Sequence, residues 1–159
     1  IKKNIKSKNI VCVAPDVGGV ERARAVGKRL SADLAIIDKR RSGPGKSEVM
    51  NVIGDVKNKI CVIFDDLVDS GGTIVNAASA LKKKGAKDVY AYVVHGVFTG
   101  EAVKKINNSK IKKFVISNSI LNIKKIKKSK KFQVISVGTL FAEAIKRISI
   151  SKSVSKLFK

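Results

Sequence analysis

Short, continuous apolar runs alternate along this chain with longer stretches in which apolar residues return every three or four positions. Ile10 to Ala14 (IVCVA) is such a run and predicts a strand. Val20, Ala23, Val26, Gly27 and Leu30 then fall on one face of a predicted helix. Further strands are predicted over 34–37, 60–64, 88–94, 114–116 and 132–136. Helices are predicted over 74–84, 99–106 and 138–148, the first of these ended by Gly85. Ser42 to Ser47 (SGPGKS) has the composition of a loop. The lysine run 123–131 predicts a solvated loop, and no internal repeat is present. After residue 148 comes a polar tail in which Val154, Leu157 and Phe158 recur at helical spacing. The alternation predicts an α/β fold. Its parallel sheet should be covered by helices on both faces, with ligands at the carboxyl ends of the strands.

Composition refines this reading. A chain of 159 residues with 44% apolar content is one domain with enough material for a core. Six Phe, two Tyr and no Trp leave that core to Ile, Val, Leu and Ala. The net charge of +22 raises nucleic acid or an anionic membrane as partners. Of the 34 basic residues, however, only six are Arg, whereas specific phosphate or base readout favours Arg. The lysines therefore read as solvated faces, with nucleic acid bound only nonspecifically. Cys12 and Cys61 lie inside apolar runs and read as buried thiols of a reducing compartment. No apolar stretch precedes the first strand and no run approaches a membrane span, so a cytoplasmic protein with no membrane partner is expected.

The chemistry concentrates in Ile63 to Thr73, IFDDLVDSGGT. An apolar strand stops at Asp65 and Asp66, Asp69 follows, and Ser70, Gly71, Gly72 and Thr73 lead into a helix. Glycines let the backbone approach a ligand, and the free N–H groups of a helix start bind anions. Carboxylates beside such a cradle fit sugar hydroxyls or a bridging divalent metal. The ligand implied is a sugar phosphate. Two further motifs follow predicted strands and should gather at the same edge. Pro15-Asp16-Val17-Gly18-Gly19 combines a tight turn with a carboxylate able to hold Mg²⁺; taken alone it also fits a plain turn. Lys39, Arg40 and Arg41 form a cationic cluster before the Gly/Pro loop, suited to a phosphoryl group in transfer; taken alone it also fits a solvated basic turn. His95 reads as structural, and Glu21, Glu48 and Glu101 as surface groups.

DDLVDSGGT resembles the ribose 5-phosphate signature of type I phosphoribosyltransferases. PDVGGV with Arg22 and Arg24, DKRR at 38–41, EVMNVIGDV at 48–56, Tyr90 to Val97 and the SVSKLF tail resemble the ribose-phosphate pyrophosphokinase family, over its C-terminal half. The resemblance implies a type I phosphoribosyltransferase-like fold. It also implies transfer of the diphosphate of ATP to C1 of ribose 5-phosphate, giving PRPP and AMP, with Mg²⁺. It picks out Lys39 as catalytic, Arg41 as its partner, and Asp16 as the metal contact. Asp65, Asp69, Ser70, Gly71, Gly72 and Thr73 would bind the ribose phosphate. In that family the N-terminal half carries much of the adenine site and a metal-binding histidine, and the enzymes are oligomers. The resemblance therefore implies a catalytic domain at 1–148 and a tail at 149–159 that packs on the missing half. The chain, which begins at Ile1, would be a fragment, a split-gene product or a decayed copy, inactive without that half or full-length copies. A base-specific phosphoribosyltransferase would share DDLVDSGGT but not DKRR or the tail. A noncatalytic PRPP-binding or regulatory protein would fit an isolated half.

Overall fold

Strand β1 (Ile10–Ala14) alternates its side chains between two cores. Val11 and Val13 join one apolar cluster, Cys12 and Ala14 the other, all with no exposure. An apolar run buried on both faces is what a central parallel strand requires. The computed structural model describes the protein except for residues 2–3, 6–8, 41–48, 121–122 and 159. After β1 come α1 (Val20–Leu30), β2 (Asp33–Arg40), β3 (Val49–Ile53), β4 (Ile60–Val68) and α2 (Gly72–Lys83). They are followed by β5 (Asp88–Gly96), α3 (Ala102–Asn107), β6 (Lys113–Ser117), α4 (Ile123–Ile126), β7 (Phe132–Ile135) and α5 (Gly138–Ser149). A 3₁₀ turn, Val154–Phe158, closes the chain.

The seven strands form one sheet in the order β3-β2-β1-β4-β5-β6-β7. Helix α1 sets Ala23, Val20, Val26 and Leu30 against Cys12, Ala14, Val62 and Phe64 on one face. Helices α2 and α3 set Ile74, Ala77, Leu81 and Ile106 into the larger core on the other. The two faces are thus covered by different helices, as a doubly wound sheet demands. β1 connects to β2 on one side and has β4 on the other, so the chain reverses direction of build between β1 and β4. A crevice opens there at the carboxyl ends, the usual ligand position in such sheets.

Four features depart from the sequence reading. The sheet is not wholly parallel, because β3 pairs antiparallel with β2, Lys39 opposite Met50. No strand was expected over 49–53, since its short apolar run gains its partner only from β2. Strand β4 continues through Asp65 and Asp66 to Val68, paired with β5 as far as Gly96. β2 likewise continues through Lys39 to Arg40, so the cationic motif ends a strand rather than following it. The lysine run is not simply a solvated loop. It contains α4, and Lys125 and Lys131 donate from Nζ to the carbonyls of Phe98 (2.9 Å) and Ile106 (3.0 Å). Cys12 and Cys61 are buried free thiols whose pKa burial pushes up to about 11 and about 12, as expected of inert structural cysteines.

Candidate functional site

A cleft of about 300 Å³ lies at the crevice between β1 and β4. It is lined by Asp16, which follows β1, and by residues 65–74, which end β4 and begin α2. The acidic motif and the PDVGG motif, far apart in sequence, therefore share one site. Strand extension places the acids: Asp65 pairs in register with Val93, and Leu67 with His95. The segment after β4 is pinned from behind, where the Thr99 N–H donates to the Asp69 carbonyl at 3.2 Å. Gly71 then turns the chain at φ +76, a left-handed conformation that a side chain would strain. Gly72, Thr73 and Ile74 at the start of α2 line the cleft, and no side chain caps the helix, so its first N–H groups have no side-chain acceptor. These are the donors that the sequence reading assigns to a phosphate, with Ser70 and Thr73 beside them.

The electrostatics of the cleft are opposite to those of the whole chain. Asp16, Asp65, Asp66 and Asp69 all line it. Arg22, in the first turn of α1, reaches across to Asp66 at 2.8 Å and to Asp65 at 3.5 Å. Arg22 carried no role in the sequence reading. Its available signal was its place just after the β1 loop, at the same edge as the acids. Burial raises the Asp66 carboxyl, but the Arg22 guanidinium together with hydrogen bonds from the Asp65 carboxyl and from the backbone at Asp66 and Leu67 holds it below the ordinary range. Asp65 goes the other way. Burial pushes it from 3.8 up to about 6, and the charges of Asp66 and Asp16 add to the effect. Asp16 accepts the Gly19 N–H on Oδ1 at 2.9 Å, which closes the PDVGG turn. An ionised carboxylate has lone pairs to spare for a further ligand.

Asp65 makes a pH prediction for the ligand-free chain. A carboxyl whose folded pKa is raised contributes stability below its unfolded value, 3.8, and loses it as pH rises through about 6. Asp65→Asn should therefore raise the melting temperature at about pH 7 and change it little near about pH 4. Thermal melts of both proteins across that range decide the matter. Parallel pH profiles would show that Asp65 is not the group under strain.

Lys39 sits at the carboxyl end of β2, partly buried, on the same sheet edge as the cleft but not among its lining residues. Arg41 and the loop 42–47 lie outside the described residues. His95 bonds Ser119 through Nδ1 at 2.8 Å. Among the described residues no group of three His, Cys, Asp or Glu side chains could hold a metal ion, and no helix is long and apolar enough to cross a membrane.

Comparison with known proteins bears on the family and the fold. A ribose-phosphate pyrophosphokinase of Brucella melitensis is 53% identical over 158 residues, covering 99% of this chain and 51% of the relative. The crystal structure of phosphoribosylpyrophosphate synthetase from Mycobacterium smegmatis superposes with a TM-score of 0.81 at 33% identity, over 90% of this chain and 46% of that one. A purine phosphoribosyltransferase from Pyrococcus horikoshii shares the fold more loosely, with a TM-score of 0.51 at 26% identity over 62% of this chain and 70% of its own. The chain spans about half the length of the curated relatives it matches. The phosphoribosyl synthetase-associated domain matches residues 41–159. On these grounds the chain belongs to the phosphoribosyl synthetase-associated domain family, the family of the ribose-phosphate pyrophosphokinases.

Proposed function

We propose that this chain is the ribose 5-phosphate-binding half of a ribose-phosphate diphosphokinase, which transfers diphosphate from ATP to C1 of ribose 5-phosphate. The observation that carries the reading is one cleft holding both a side-chain-uncapped helix start and carboxylates at the ends of two neighbouring strands. The N–H groups of residues 70–73 bind the 5-phosphate, and Asp65 and Asp69 accept hydrogen bonds from the ribose hydroxyls. Lys39 and Arg41 offset charge on the transferring phosphoryl group, as a loose transition state requires. Positioning supplies the rest of the rate. Four carboxylates around a phosphate need a cation, and this donor set fits Mg²⁺. That ion takes one or two protein carboxylates and completes its shell with water and substrate phosphates, so a three-carboxylate cage is not required. Asp16 is the protein contact; the bound ion would supply charge neutralisation. A cytoplasmic, oligomeric enzyme goes with this reading.

Titration calorimetry tests it. The chain alone is expected to bind ribose 5-phosphate, more tightly with Mg²⁺, and to show no turnover with ATP until the rest of the longer protein is supplied. Absence of ribose 5-phosphate binding with and without Mg²⁺ overturns the site. Turnover by the chain alone overturns its status as a half.

The C-terminal segment is proposed to pack on that remainder. Phe141, Ile145 and Ile148 stand on α5 with exposures of 58, 64 and 67%, and Phe158 is 66% exposed. The segment is held here by polar bonds such as Arg29 to the Phe158 carbonyl at 3.0 Å. Amide exchange over 149–159 should slow when the longer protein is present. Equal protection in both states would assign the tail to this domain.

A further inference from the structure

Four consecutive loops at the amino edge of the sheet, opposite the cleft, carry half of the chain's charge. They are residues 55–59, 82–88, 107–113 and 127–131, which enter β4, β5, β6 and β7. Together they hold thirteen lysines and two aspartates, a net +11 of the total +22. In sequence these are scattered runs. The parallel topology makes their strands neighbours, and so sets the loops side by side. At the usual strand spacing the row is about 15 Å long.

The row is rigid. Asn58 N–H donates to the Gly85 carbonyl at 2.9 Å and Lys87 N–H to the Lys59 carbonyl at 2.8 Å. Ser129 donates to Asn107 at 2.5 Å across the next pair of loops. Lys82 and Lys131 turn inward to carbonyls and build the loops. Both aspartates are already matched, Asp55 by Lys59 at 3.2 Å and Asp88 by Lys112 at 3.0 Å. Lys57, Lys84, Lys87, Lys110, Lys127 and Lys130 remain exposed along the row.

We propose that this amino edge is a docking surface for the phosphate backbone of duplex nucleic acid, bound without sequence preference. The inference does not depend on the function of the cleft. A linear array fits a linear polyanion: one strand of a duplex advances about 3.4 Å along the helix axis per phosphate, so a row about 15 Å long lies alongside a few phosphates. Lysines give point charges for backbone contacts rather than base readout. The loops contain no aromatic residue, which disfavours stacked single strands. Their apolar residues Val56, Ala86 and Ile111 are buried, so nothing inserts into a bilayer.

Fluorescence anisotropy with a labelled duplex of about 20 base pairs, from about 50 to about 200 mM salt, tests the proposal. The chain should bind the duplex with steep salt dependence. The triple variant Lys84→Gln, Lys110→Gln, Lys130→Gln should lose about tenfold or more in affinity and flatten the salt slope by about two to three. The control triple Lys146→Gln, Lys152→Gln, Lys156→Gln removes equal charge from α5 and the tail, and should change affinity by less than about threefold. Single Lys84→Glu and Lys130→Glu variants give the same comparison if the edge triple does not fold. Equal losses in the two triples, no duplex binding at about 100 mM salt, or binding to phosphatidylserine vesicles but not the duplex would each overturn it.

Discussion

Lys39→Ala, made in a full-length protein carrying this chain, is expected to lower turnover by roughly 100-fold or more while leaving ribose 5-phosphate affinity nearly unchanged. Lys39 is partly buried in the next-to-last pair of the β2–β3 ladder, opposite Met50, so its backbone is held by strand pairing. It lies beside the cleft rather than among its lining residues, and in the proposed reading the sugar phosphate is held by other donors. Under the proposed mechanism its charge should matter most when the phosphoryl group is between oxygens, where a preorganised cation needs no reorganisation. Steady-state kinetics and calorimetry separate the two quantities. A variant with unchanged turnover removes Lys39 from the mechanism, and one that loses binding and turnover equally makes it a binding residue only.

Phe114→Ala should have the largest effect on folding, about 3–5 kcal/mol. The ring has no exposure and meets Phe132 at 5.1 Å and Phe98 at 6.3 Å between centroids. Phe98 and Phe132 complete the triangle edge-to-face at 5.5 Å. With so few aromatics elsewhere, this cluster is the main bulky packing between β6, β7 and the segment after β5. The loss is a large part of a domain's usual stability of about 5–15 kcal/mol. Phe141→Ala on α5 is the comparison, because a side chain 58% exposed loses little when truncated. Denaturant midpoints that fall equally for the two variants would show that the aromatic triangle is not where this domain is held.

Much of this protein was legible locally. β1 and α1 need only an apolar run and a helical stripe, and both have their predicted bounds. The helix start after Gly71 needs only glycine and a following apolar period. The three strand-ending motifs were expected at one edge, and the alternation of elements suffices for that, since parallel strands share their carboxyl ends. What tertiary structure alone decided has a common cause: the energy lies between residues distant in the chain. Asp65 and Asp66 are poor strand formers, yet β4 runs through them because β5 offers a ladder to pair with. β3 is a strand because β2 lies beside it. Arg22 is a site residue because α1 ends up facing the acids of β4. Lys125 and Lys131 are structural because carbonyls far away in sequence lie within their reach. The amino-edge lysines form one surface only after the sheet orders their strands. Periodicity and turn chemistry are local properties that a sequence displays directly, whereas pairing, burial and charge proximity exist only once the chain has closed on itself.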